Sequence, residues 1–121
     1  LISLPTHLQT NEQAALEEMV ARLLQQPNIR LAEVWLFGSK ARGDFEPDSD
    51  LDLLLVLDNA DWTIRDQVHL LAARVSLEYD VLINTHILSR DRWSEMAHHR
   101  LTLWRHVQRD GISLMQELSP V

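Results

Sequence analysis

The stretch Leu51-Asp52-Leu53-Leu54-Leu55-Val56-Leu57 constrains the fold more than any other part of the chain. Six of its seven residues are aliphatic, no apolar-polar alternation runs through it, and Asp58-Asn59 breaks it. A short apolar run bounded by turn residues fits a strand buried on both faces. Such a strand needs other elements to cover it, and the remaining sequence must supply them.

It does so in an alternating order. Thr10 and Gln13 have capping-box spacing, and Leu16, Met19, Val20, Leu23 and Leu24 recur at helical intervals, which predicts a helix from about Asn11 to Gln25, stopped by Pro27. The apolar run Leu31 to Phe37, ended by glycine, reads as a first buried strand. Gly38 to Asp48 holds two of the three glycines and Pro47 and reads as a loop. After the second strand, Asp61 can cap a helix whose apolar stripe is Ile64, Val68, Leu71, Ala72 and Val75. Asp80 is expected to open a third strand over Val81 to Ile83, with room to extend to Leu88. One last helix, from about Arg90 to Arg109, turns Trp93, Met96, Ala97, Leu101, Trp104 and Val107 inward and is capped by Gly111. The order predicts an α/β (α+β) fold, a small mixed sheet covered by helices.

With 121 residues, 45% of them hydrophobic, the chain is sized for a single domain over 1–121, with its core at about 11–114. It begins with Leu, not Met. No apolar run approaches the roughly 20 residues of a membrane span, so no membrane partner and a soluble, cytoplasmic setting are expected. Cysteine is absent, which removes disulfides, thiolate metal sites and thiol nucleophiles. A net charge of −7 opposes the nucleic-acid backbone and argues against stable binding of free DNA or RNA.

One constellation carries chemistry. Gly38-Ser39 directly follows a strand, and after ten intervening residues comes Asp50-Leu51-Asp52. Glycine lets backbone amides approach an anion, and the Ser39 hydroxyl can donate to a phosphate oxygen. Asp50 and Asp52, two apart at a strand start, share a face and can reach the same ions. Magnesium takes hard oxygen ligands and is usually held by one or two carboxylates together with substrate phosphates. Two such ions about 3.5–4 Å apart can serve an in-line displacement. If the third strand lies beside the second, Asp80 could bind a catalytic ion or take the proton of an attacking hydroxyl. Lys40 and Arg42 in the loop are candidates to neutralise a triphosphate. At ordinary residue abundances the four-residue pattern would arise by chance on the order of once in a thousand such chains.

Gly38-Ser39-Lys40-Ala41-Arg42-Gly43, then Asp48-Ser49-Asp50-Leu51-Asp52-Leu53, resembles the MNT family of minimal nucleotidyltransferases in the DNA polymerase beta-like superfamily. Tyr79-Asp80-Val81-Leu82 looks like that family's third-carboxylate strand, and Val107 to Ile112 like its C-terminal helix end, so the resemblance runs from Val34 to Leu114. It implies the polymerase beta-like nucleotidyltransferase fold and transfer of a nucleoside monophosphate from a triphosphate to a hydroxyl. Gly38 and Ser39 would hold the triphosphate, Asp50 and Asp52 would bind two Mg²⁺ ions, and Asp80 would complete the catalytic metal site. Small proteins of this type are similar to the antitoxins of HEPN/MNT toxin-antitoxin pairs, which implies ATP as substrate and a tyrosine of a HEPN toxin as acceptor. A small-molecule transferase of the aminoglycoside-modifying kind and a non-catalytic antitoxin that masks its partner are the alternatives.

Other features point to packing or surface. The six histidines, including those spaced from arginine in Arg92 to His98 and Arg100 to His106, read as surface residues. Trp35, Trp93 and Trp104 fall at core positions, whereas Trp62 stands at a helix start and is expected to be exposed. The apolar tail Ile112 to Val121 is expected to dock on the core or on a partner.

Overall fold

A computed structural model of the chain describes residues 4–44 and 49–115. Its elements are α1 (Thr10–Gln25), β1 (Leu31–Phe37), α2 (Ser39–Arg42), β2 (Leu51–Leu57), α3 (Trp62–Tyr79), β3 (Ile83–Ser89), α4 (Arg90–His98), α5 (Thr102–Asp110) and β4 (Ile112–Ser113). The strands form a mixed sheet in the order β3-β2-β1-β4. β1 runs antiparallel to β2 and β4, and β2 runs parallel to β3.

The continuous apolar run is satisfied as a central strand, buried from Leu53 to Leu57. Alternation divides its side chains between two cores. Leu51, Leu53, Leu55 and Leu57 pack with Val34, Leu36, Ile83 and Ile87 against Leu16, Met19 and Leu23 of α1 and Ile64, Val68 and Val75 of α3. Leu54 and Val56 pack on the other face with Trp93, Val107, Trp35, Phe37 and Trp104. Helices therefore cover both faces. Among the described residues no helix is long and apolar enough to cross a membrane.

Asp61 caps α3 as expected, its Oδ1 accepting the Ile64 N–H at 3.0 Å. The cap of α1 lies one residue earlier than Thr10 and Gln13 suggest. Gln9 is the N-cap, and its N–H donates to Glu12 Oε1 at 2.9 Å. Glu12 is held there by a distant partner, described below, which local spacing does not reveal.

Asp80 does not open the third strand. It closes α3 in the left-handed conformation, at φ 54°, with the Val81 N–H donating to Ser76 O at 3.1 Å. β3 begins only at Ile83, whose N–H donates to the buried Ser76 hydroxyl at 3.1 Å. The single helix expected over Arg90 to Arg109 is two helices. Arg100 turns left-handed, at φ 51°, and Leu101 N–H donates to Met96 O at 3.0 Å, closing α4. The break lets Trp93 of α4 and Val107 of α5 both reach the core over Leu54 and Val56. The described part of the tail docks on the core: Ile112 and Ser113 pair with β1, and Leu114 is fully buried. Residues 116–121 of the tail lie outside the described part.

Candidate active site

The sheet register gathers the site. Phe37, the last residue of β1, lies opposite Asp52 on β2, and Asp52 lies opposite Asn84 on β3. By strand alternation Asp52 shares a face with Leu54 and Val56, just beyond the edge of the second core. The ladder starts at Leu51, whose N–H donates to Leu82 O at 2.8 Å, so the same alternation carries Asp50 to the side of Asp52.

Gly38 turns the chain out of β1 with φ 77° and ψ −161°, a conformation open essentially to glycine alone. Its carbonyl accepts the N–H groups of Ala41 and Arg42 at 3.1 and 3.2 Å, which winds Ser39 to Arg42 into one helical turn. Glycine is required here for a second reason. A Cβ on Gly38 would lie 2.6 Å from Asp52 Oδ2. The Asp52 carboxylate thus packs directly against the bare Gly38 backbone, with Ser39 half-buried beside it. The loop expected to bind phosphate and the strand expected to bind metal meet at this point. Two carboxylates at the start of one strand, one of them against a glycine turn, fit a magnesium ion shared with substrate phosphates.

The other oxygen of Asp52 is engaged. Oδ1 accepts from Asn84 Nδ2 at 3.2 Å and lies 3.7 Å from His86 Nε2. His86, two residues on along β3, also meets Phe37 edge-on at a centroid distance of 5.1 Å. Sequence reasoning missed Asn84 and set His86 aside with the other histidines. A signal was present in their alternation with the buried Ile83 and Ile87, but only the parallel register of β3 on β2 places them beside Asp52.

Asp80 does not share this row. It lines a cavity of about 310 Å³ with Gln9, Asn11, Glu12, Ser49, Val81 and Leu82. The expected gathering of three carboxylates is not seen: among the described residues no group of three or more acidic or histidine side chains is disposed to hold a metal. β3 starts three residues after Asp80, and the helix cap in between turns the chain.

Lys40 is also corrected. Its side chain is completely buried, and Nζ pairs with Glu12 Oε2 at 2.6 Å. An ammonium that tethers the first turn of α1 in the interior is not presented to a triphosphate. Arg42 is exposed and donates through Nε to Asp44 at 3.1 Å. Arg109 holds the Asp110 carboxyl below its ordinary range, with smaller contributions from Arg42 and His106. Asp48 lies outside the described residues, and Trp62 is exposed as expected.

Comparison with known proteins shows the family. A model of the nucleotidyltransferase domain family matches residues 16–100. The chain is 36% identical over 85 residues to "Putative protein adenylyltransferase MJ0604" of Methanocaldococcus jannaschii, covering 70% of this chain and 81% of that protein. It is 43% identical over 56 residues to "Putative protein adenylyltransferase MJ0141" of the same organism, covering 46% and 57%. A mutant of the toxin-antitoxin MntA-HpeT matches in structure with a TM-score of 0.53 at 16% identity, covering 87% of this chain and 72% of the other. A crystal structure of a toxin-antitoxin with AMP-PNP matches at 0.52, with the same identity and coverage. At that identity the likeness is one of fold. The family match spans β1, the Gly38 turn, β2 and β3, every element that builds the site. With its polymerase beta-like fold, the chain belongs to the nucleotidyltransferase domain family and is a nucleotidyltransferase.

Proposed function

We propose that the chain transfers AMP from ATP to a hydroxyl of a partner protein, a tyrosine of a HEPN-family toxin, and so acts as an antitoxin. The observation that carries the reading is the close packing of the Gly38 turn on the Asp52 carboxylate, which brings a turn suited to an anion and a carboxylate suited to a metal to one place. The names of the M. jannaschii relatives support protein as the acceptor, and the toxin-antitoxin neighbours, one with AMP-PNP, support the partner and the nucleotide.

The acceptor oxygen attacks the α-phosphorus. The bond from that phosphorus to the bridging oxygen breaks, pyrophosphate leaves with the electron pair, and the hydroxyl proton passes to solvent. Asp50 and Asp52 hold Mg²⁺, which when bound supplies positive charge to the phosphoryl oxygens. Ser39 and the amides of the Gly38 turn bind and orient the triphosphate tail. Arg42, exposed at the end of α2 and paired with Asp44, can exchange that carboxylate for the triphosphate.

Incubation with the toxin, Mg²⁺ and ATP should add an AMP-sized mass to the toxin, read by intact-mass spectrometry. The Asp50→Ala/Asp52→Ala double variant should add none. Transfer that survives the double change refutes the carboxylate assignment. Undiminished toxin neutralisation by the double variant, at equal expression, refutes adenylylation as the means of inhibition.

A further inference from the structure

The β3 position beside Asp52 is filled by an amide. β2 and β3 run parallel with Asp52 opposite Asn84, and Asn84 Nδ2 donates to Asp52 Oδ1 at 3.2 Å. The next residue on that face, His86, brings Nε2 to 3.7 Å from the same oxygen. Asp80, four residues before Asn84, caps a helix and lines a cavity with Ser49 and Glu12 rather than standing on the β3 ladder beside Asp52.

The charge balance of a two-ion site follows from this. Two divalent ions about 3.5–4 Å apart carry four positive charges and repel strongly unless fixed anions surround them. Asp50 and Asp52 bring two negative charges, and the nucleotide phosphates bring the rest for the ion that they themselves chelate. A second ion, on the acceptor side, would need an anionic ligand on the neighbouring strand. Asn84 stands there, and whichever end of its amide faces Asp52, it brings no net charge. It also occupies Oδ1, the Asp52 oxygen on the β3 side, while Oδ2 lies against the Gly38 turn.

We propose that this site binds one divalent ion, together with the nucleotide, and that Asn84 sets that number. The inference rests on the nucleotide-binding reading above and adds to it the stoichiometry and the residue responsible. Asn84 acts as a positioning residue: its hydrogen bond to Oδ1 fixes the orientation of the Asp52 carboxylate for the single ion.

The test counts ions without turnover. Manganese is titrated into the chain with one equivalent of a non-hydrolysable ATP analogue, and free Mn²⁺ is read by electron paramagnetic resonance against the analogue alone. Analogue binding is measured separately by displacement of a fluorescent nucleotide. Wild type, Asp80→Asn and His86→Ala should each bind one Mn²⁺ per chain, and Asn84→Asp should bind two. Two ions on wild type overturn the proposal. A fall to one in Asp80→Asn or His86→Ala would then name the side chain that supplies the second site. An Asn84→Asp chain that folds, binds the analogue and still takes one ion also overturns it. Should that variant fail to fold, the wild-type count alone decides. Failure of the folded wild type to bind the analogue overturns the nucleotide reading itself, a result distinct from a count of two.

Discussion

Replacing Lys40 by methionine should damage the protein far more than its place in a loop suggests. Lys40 is fully buried and its partner Glu12 only 5% exposed, with 2.6 Å between Nζ and Oε2. The same Glu12 carboxylate accepts the Gln9 N–H through Oε1 at 2.9 Å, so the pair ties the turn after β1 to the start of α1. Breaking one partner of a buried ion pair strands the other as an uncompensated charge, at a cost of about 3–5 kcal/mol. A chain of this length has a total stability of roughly 6–18 kcal/mol, so a single side chain removes a large share of it. At a urea m value of about 2 kcal/mol/M, the unfolding midpoint should drop by roughly 2 M. Adding Glu12→Gln should recover much of the loss, because a glutamine can still accept the Gln9 N–H while no charge remains buried. Urea titration followed by circular dichroism measures all three chains. A Lys40→Met midpoint within 0.3 M of wild type, on the order of half a kcal/mol at that slope, would refute the buried-pair argument. So would a double variant less stable than the single one.

Three further outcomes follow from local geometry. Gly38→Ala places a Cβ 2.6 Å from Asp52 Oδ2 in a backbone conformation costing about 1–3 kcal/mol and should displace the carboxylate, so nucleotide affinity should fall at least about tenfold; unchanged affinity by calorimetry contradicts the account of the Gly38–Asp52 contact. Asp61→Ala removes the acceptor for the Ile64 N–H and should cost about 1 kcal/mol in thermal unfolding, whereas an unshifted melting temperature would show that the cap contributes nothing. Arg22 hydrogen-bonds Glu78 across α1 and α3 and holds its carboxyl below the ordinary range. A carboxyl depressed in the folded state stabilises above its unfolded value and ceases to do so as pH falls through its folded value. Wild type should therefore exceed Arg22→Ala in urea midpoint at neutral pH, and the two curves should converge in acid; a gap that stays constant into acid contradicts the linkage.

The parts of the fold legible in the sequence are those that a short window specifies. The unbroken apolar run of β2 announced a strand covered on both faces, and Asp61 marked the start of α3 through a cap three residues long. The meeting of the Gly38 turn with Asp52 was legible because the glycine, the turn and the alternating acids each have local chemical reasons. What was hidden depends on long-range partners. Lys40 reads as a loop cation until Glu12, twenty-eight positions earlier, is brought against it. Arg100 breaks the last helix in a left-handed turn with neither glycine nor proline to signal it. Asp80 looked like a strand residue because apolar residues follow it, but α3 runs to Tyr79 and the Ser76 hydroxyl sets where β3 begins. That shift of start, together with the parallel register, puts Asn84 rather than an acid beside Asp52.

A crystal structure of the chain with manganese and a non-hydrolysable ATP analogue, with the metal located by anomalous scattering, tests the site itself. The account expects the triphosphate on the Gly38-Ser39 turn and manganese bound by Asp50 and Asp52. Nucleotide seated elsewhere, for example in the groove of about 560 Å³ along β3 lined by His69, Leu77 and Leu82, with no metal at the two aspartates, would contradict it.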